Sequence, residues 1–222
     1  MTATHQHGAP VTPAPGRGTP AWRLLVTLAI AGALSGWLVA TVYDITLPAV
    51  KRHAAARLEQ AVREVLHAPV RWDTLYVVHD SLTRTAPAGD LDPTLTAYVG
   101  YDAEGRRLGV AITAAEPGFQ ELVTLMIGFD PASGTLLGFT VVAQKETPGL
   151  GDKIERDSLF TGQFGGRVPP LTGVRGHAGT TPSEVQTITG ATISSRAVIR
   201  IINHAIERWR PLLDRWDRGG TS

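Results

Sequence analysis

From Leu24 through Tyr43 the chain runs for 20 residues without a charged side chain. At the α-helical rise, about 20 apolar residues cross the hydrocarbon core of a bilayer. Trp22 and Tyr43 stand at the two ends of this run, where amphipathic aromatic rings favour the membrane interface. The pattern predicts a transmembrane helix over residues 22–44. A cleaved signal peptide is the alternative, but its apolar region is usually shorter, roughly 7–15 residues. Ala40-Thr41-Val42 also makes a poor cleavage site. Ala29, Gly32, Gly36 and Ala40 form a stripe of small residues, which suits close packing of a second helix. Residues 1–21, rich in Pro, Gly, Thr and Ala and free of acidic side chains, read as a disordered tail.

Beyond the apolar run the periodicity changes twice. Residues 48–68 carry Val50, Ala54, Leu58, Ala61, Val62, Val65 and Leu66 on one helical face, with Pro48 suited to a first turn and Pro69 ending the pattern. This predicts an amphipathic linker helix. From Thr74 the period is two, giving strands over 74–79, 95–101, 108–114, 122–129 and 135–144. Asp102-Ala103-Glu104-Gly105 and Asp130-Pro131-Ala132-Ser133-Gly134 supply hairpin turns. A short helix is expected over 157–164, an irregular glycine-rich connection over 165–181, and a last helix from Ser194 to about Trp209. The sum is an α+β chain: a membrane helix, a linker helix, and an antiparallel-sheet domain flanked by helices over 70–212, with 213–222 set aside as a tail.

Composition excludes several chemistries. The net charge is +1, so no bulk electrostatic argument points to nucleic acid. With 0 cysteines the chain has no disulfides, thiolate zinc sites or cysteine-held iron–sulfur clusters of its own. The histidines show no ligand spacing, so no metal site is expected.

Two stretches carry chemistry. Thr189-Gly190-Ala191-Thr192-Ile193-Ser194-Ser195 opens the last helix. A helix's first turn presents unpaired amides and partial positive charge, and the small residues at 190 and 191 let an anion approach them. The three hydroxyls of Thr192, Ser194 and Ser195 equally suit an ordinary helix cap, and the motif alone leaves cap and phosphate site open. The second stretch, Glu146-Thr147-Pro148-Gly149-Leu150-Gly151-Asp152-Lys153, follows a strand and lacks the spacing of a P-loop.

Occurring together and in this order, the two stretches resemble the FMN-binding domain of the G subunit of the Rnf electron-transport complex. They resemble too its relative, the C subunit of the sodium-pumping NADH:quinone reductase. The resemblance implies FMN joined by a phosphoester to the last threonine of Thr189-Gly190-Ala191-Thr192, with Ser194 and Ser195 in the same turn. The loop carrying Thr147, Pro148, Gly149, Leu150, Gly151 and Lys153 is then the bed for the flavin ring, stiffened by proline and opened by glycine. Lys153 in that place favours a reduced, anionic flavin. Gln186 stands where the family pattern has Asp, and Gln120-Glu121 where it has a small residue and Gly.

The same resemblance implies an electron carrier, not an enzyme on its own, within an ion-translocating complex linking ferredoxin and NAD. Partner subunits would hold iron–sulfur clusters and further flavins, and a separate flavin transferase would make the phosphoester. The implied location is the bacterial inner membrane, with the flavin domain outside the cytoplasm. Charge alone argues the reverse: Arg17 and Arg23 precede the span, while Lys51, Arg52, Arg57 and Arg63 follow it. The alternatives are an FMN domain of another extracytoplasmic electron chain, or a flavin-free membrane-anchored scaffold in which Thr192 only caps its helix.

Overall fold

The computed structural model describes residues 20–89, 92–176 and 181–219. The expectations for most of the N-terminal tail and for the last three residues lie outside them. The chain divides into two units, 1–52 and 53–222.

Helix α1 (Ala21–Val65) takes up both the apolar run and the amphipathic segment, which Pro48 divides in the sequence pattern. Pro48 lies inside it. A proline removes one backbone donor, and the Ala- and Leu-rich sequence beyond it, Ala54-Ala55-Ala56-Arg57-Leu58, has high helix propensity. Within residues 21–52 the large apolar side chains other than Leu47 are exposed, Leu28 and Ile45 at 72%. The hydroxyls of Thr27, Thr41 and Thr46 donate to the carbonyls of Arg23, Trp37 and Val42 at 3.0, 2.8 and 2.8 Å. Polar groups closed on the backbone and apolar groups turned outward are what a lipid surrounding requires. Among the described residues this is the one helix long and apolar enough to cross a membrane.

In the second unit a six-stranded antiparallel sheet has the order β2-β1-β3-β4-β5-β6. Its strands are β1 (Arg71–Val78), β2 (Ser81–Thr83), β3 (Thr96–Tyr101), β4 (Arg107–Pro117), β5 (Leu122–Asp130) and β6 (Thr135–Ala143). Because side chains alternate, one strand serves two cores. On one face Val123, Leu125, Ile127 and Phe129 of β5 join Val110 and Ile112 of β4 and Ala97 and Val99 of β3. Helix α4 (Thr192–Arg218) covers this face with Val198, Ile201, Ile202, Ala205, Ile206, Trp209, Leu212 and Leu213. On the other face Ala111 and Met126 meet Ala61, Val62 and Val65 at the end of α1 and Leu66 just beyond it. The linker segment is thus a packing helix of the domain in its last turns.

Close approach on that second face depends on missing side chains. A Cβ at Gly128 would lie 2.5 Å from the Val65 carbonyl oxygen, and one at Gly100 would lie 2.7 Å from a Leu66 methyl.

The remaining elements hang on this frame. Helices α2 (Lys153–Arg156) and α3 (Ser158–Thr161) follow β6, with Asp157 capping α3 through the amides of Leu159 and Phe160. Phe139, Phe160 and Phe164 meet edge to face, with centroids 4.5 to 6.2 Å apart. The expected irregular connection contains β7 (Thr172–Val174), which pairs in parallel with β8 (Glu184–Gln186). Asn203 of α4 holds its start, accepting from the Leu171 amide (2.6 Å) and donating to the Leu171 carbonyl (2.9 Å). Helix α4 passes through Pro211 and runs on to Arg218 instead of stopping near Trp209. The region set aside as a tail therefore begins as helix, with Leu213 buried and Asp217 taking a forked pair of hydrogen bonds from Arg107 at 2.7 and 2.9 Å.

Gly128→Ala drives a methyl group into backbone that cannot rotate away, so it should destabilise the domain by about 1–3 kcal/mol. Thermal unfolding of the detergent-solubilised chain reads this as a lower Tm, and an unchanged Tm would contradict the packing of α1 on this face.

Candidate functional site

The turn before α4 is held by a buried serine. Ser195, fully buried, donates from Oγ to the Ala191 carbonyl (2.9 Å) and accepts from the Ile188 amide (3.1 Å). Gly190 sits in the turn at φ 83°, in the left-handed region that a glycine adopts without strain. The Ser195 amide reaches back to the Ala191 carbonyl (2.9 Å) as the first of the helix to find one. The amides of Thr192, Ile193 and Ser194 precede it and have no intrahelical acceptor.

The N-cap residue is Ala191, with no side-chain cap bond. None of the three hydroxyls acts as the cap. Ser195 is spent on the turn, Ser194 donates to Glu146 Oε2 at 2.6 Å, and Thr192 Oγ1 lies 3.5 Å from the Ile188 carbonyl, a long contact. Thr192 is half-buried as the first residue of α4. Of the three, it has the hydroxyl least committed to the fold.

The loop after β6 faces this turn. Thr147-Pro148-Gly149-Leu150 closes with a bond from the Leu150 amide to the Thr147 carbonyl (3.1 Å) and Gly149 at φ 77°, the pattern of a type II turn. Pro148 and Gly149 are exposed, and Leu150 is half-exposed. Gly151 is bare for a different reason. A Cβ there would lie 2.6 Å from Glu146 Oε2 and 3.0 Å from Ser194 Oγ. Its missing side chain makes room for the Glu146 carboxylate.

Glu146 is 4% exposed and accepts from the Phe119 amide (2.8 Å), the Gln120 amide (3.1 Å) and the Ser194 hydroxyl (2.6 Å). The neighbouring Lys145 turns instead to Glu121 (3.0 Å), at the surface. Gly118 is the second glycine against this carboxylate, since a Cβ there would collide with Glu146 Oε1.

A cleft of ≈ 340 Å³ lies among these segments, lined by Phe119, Thr147, Leu150, Gly151, Gly190, Ala191, Thr192, Ile193 and Ser194. Seven of the twelve residues singled out in the sequence are in that wall: Thr147, Leu150, Gly151, Gly190, Ala191, Thr192 and Ser194. Lys153 and Thr189 line a neighbouring cleft of ≈ 740 Å³ with Phe160, Gln163, Gln186 and Ile188. The two clefts share the turn, Ile188 and Thr189 lining one and Gly190 to Thr192 the other. Gln186 lies in the second cleft, its backbone gripped by Gln163 through bonds of 2.8 and 3.3 Å. Phe119, Ile193 and Glu146 belong to the site without having been singled out in the sequence. Glu146 stands in the recognised stretch, but nothing in one sequence says that a glutamate turns inward.

Residues 118–207 match the family model described as FMN-binding domain. The chain is 32% identical over 194 residues to the G subunit of the ion-translocating oxidoreductase complex of Vibrio vulnificus, covering 82% of this chain and 86% of that protein. The chain belongs to this G-subunit family. It is 28% identical over 182 residues to the G subunit of the proton-translocating ferredoxin:NAD(+) oxidoreductase complex of Clostridium ljungdahlii, covering 82% and 87%. The crystal structure of NqrC from Shewanella oneidensis shares the fold, with a TM-score of 0.53 and 17% identity over 68% of this chain and 87% of that one. The matched segment begins at Gly118 and ends within α4, so it takes in every residue of the smaller cleft.

Ser195→Ala leaves the buried Ile188 amide without its acceptor, which should cost about 1–3 kcal/mol. The chemical denaturation midpoint of the full-length protein in detergent should fall accordingly. A midpoint equal to the parent's would show that the turn does not depend on this hydroxyl.

Proposed function

We propose that the chain is a membrane-anchored flavoprotein subunit of an Rnf-type, ion-translocating electron-transport complex, with FMN joined by phosphoester to Thr192. The observation that carries this reading is the uncapped start of α4. Three first-turn amides and a weakly engaged threonine hydroxyl border a cleft walled by the two glycine-containing segments. The donor set fits a phosphate, whose charge the helix N-terminus offsets. Phe119, Leu150 and Ile193, each half-exposed or more, give the cleft apolar walls suited to a flat aromatic ring.

Bound FMN would supply reversible electron uptake and release, which no side chain of this cysteine-free chain provides. The chain's own part is to hold. Gly190 and Ala191 keep side chains away from the first-turn amides, and Pro148 and Gly149 fix the opposing turn. Lys153, on the far side of the shared turn, contributes positive charge that favours an anionic reduced ring. A phosphoester tether suits a carrier facing the outside of the inner membrane, where lost cofactor is not readily replaced. The partners on this reading are the complex's membrane, iron–sulfur and flavin subunits, linking ferredoxin to NAD, and a flavin transferase that matures Thr192.

Protein made together with a flavin transferase should show a fluorescent band on a denaturing gel, and Thr192→Ala should abolish it. A band of equal strength in the variant would defeat the assignment of Thr192.

A further inference from the structure

We infer that Glu146 is the positioning residue that holds the threonine-bound flavin in one orientation; this rests on the attachment proposed above. Its carboxylate joins three separate backbone segments around the cleft. It stands at the head of the 146–152 loop, which provides Thr147, Leu150 and Gly151 to the wall. It binds the amides of Phe119 and Gln120 at 2.8 and 3.1 Å, fixing the segment that provides Phe119. It takes the Ser194 hydroxyl at 2.6 Å, fixing the first turn of α4, two residues from Thr192.

The surroundings are built to keep it there. Gly118 and Gly151, from two different segments, both leave the space that the carboxylate fills, and the group is 4% exposed. Its own backbone is held by a side chain, the Glu146 amide donating to Gln144 Oε1 at 2.7 Å. An ionised carboxylate only accepts, and here one oxygen serves two amides while the other serves the hydroxyl. The ring and the phosphate end of a tethered flavin would rest on different segments of this wall. Their relative placement therefore passes through Glu146, although Glu146 is absent from the cleft lining.

The test uses the full-length, flavinylated protein and compares Glu146→Ala, Glu146→Asp and Glu146→Gln at a temperature well below the Tm of each. Gln keeps a carbonyl oxygen for the Phe119 and Gln120 amides, and its amide group can donate to a rotated Ser194 hydroxyl. Glu146→Gln should therefore retain the parent's flavin fluorescence anisotropy and visible circular dichroism. Ala should lose both while still carrying flavin on a denaturing gel, and Asp, one methylene short, should fall between. Parent-like anisotropy and dichroism in Glu146→Ala would overturn the inference, and so would a loss in Gln as large as in Ala. Absence of flavin from the parent would count against the attachment itself. In flavin-free Thr192→Ala protein the tether is read by amide exchange. Adding Glu146→Ala should speed exchange at Phe119, Gln120 and Ser195, the first amide of α4 with an acceptor, together, and unchanged exchange at all three overturns the tether.

Discussion

A carboxylate taken out of water must be met by donors, and at Glu146 these come from two backbone amides and one hydroxyl. Much of the local sequence follows from that requirement. Gly118 and Gly151 are bare because the carboxylate needs their side-chain space. Ser194, in the first turn of α4, turns its hydroxyl inward to this carboxylate, and with Ala191 as the N-cap no side chain caps the helix. A glycine-rich loop beside a helix N-terminus invites a reading in which every glycine clears space for a ligand. Here the glycines divide: 149 and 190 adopt left-handed backbone, while 118 and 151 accommodate a protein side chain.

The sheet makes this arrangement rigid by serving two cores. Its larger apolar face carries α4, whose buried residues run from Ser194 through Leu213. The start of that helix, with Thr192, is thus fixed by packing along most of its length. The opposite face receives the end of α1 at positions where glycine lets backbone approach. Arg107 and Asp217 close the far end of α4 onto β4.

What is legible in the sequence is what depends on local periodicity or local turn chemistry. Strands β1 and β3 to β6 follow from alternation, and the 20-residue uncharged run announces the membrane-competent helix. Thr192, Gly190 and Thr147 stand out because their motifs are contiguous, and the structure brings them to one cleft. The features that escape the sequence have a common cause. Pro48 and Pro211 look like boundaries, yet both helices run through them, because one lost hydrogen bond is outweighed by the good helix formers of residues 54–58 beyond Pro48 and by buried Leu212 and Leu213 beyond Pro211. Strands β7 and β8 are three residues each, too short for a periodic signal. The inward turn of Glu146 is set by partners 26 to 48 positions away in sequence, which no local pattern records.

The electron-carrier reading requires that one hydroxyl at the start of α4 carry the flavin. Tryptic digestion of protein matured with a flavin transferase should release the peptide of residues 176–196, whose fragmentation masses locate any modification among its serines and threonines. A mass gain of one FMN less one water, confined to Thr192, is expected. An unmodified peptide, or the gain placed on Thr189 or Ser194, would contradict the attachment.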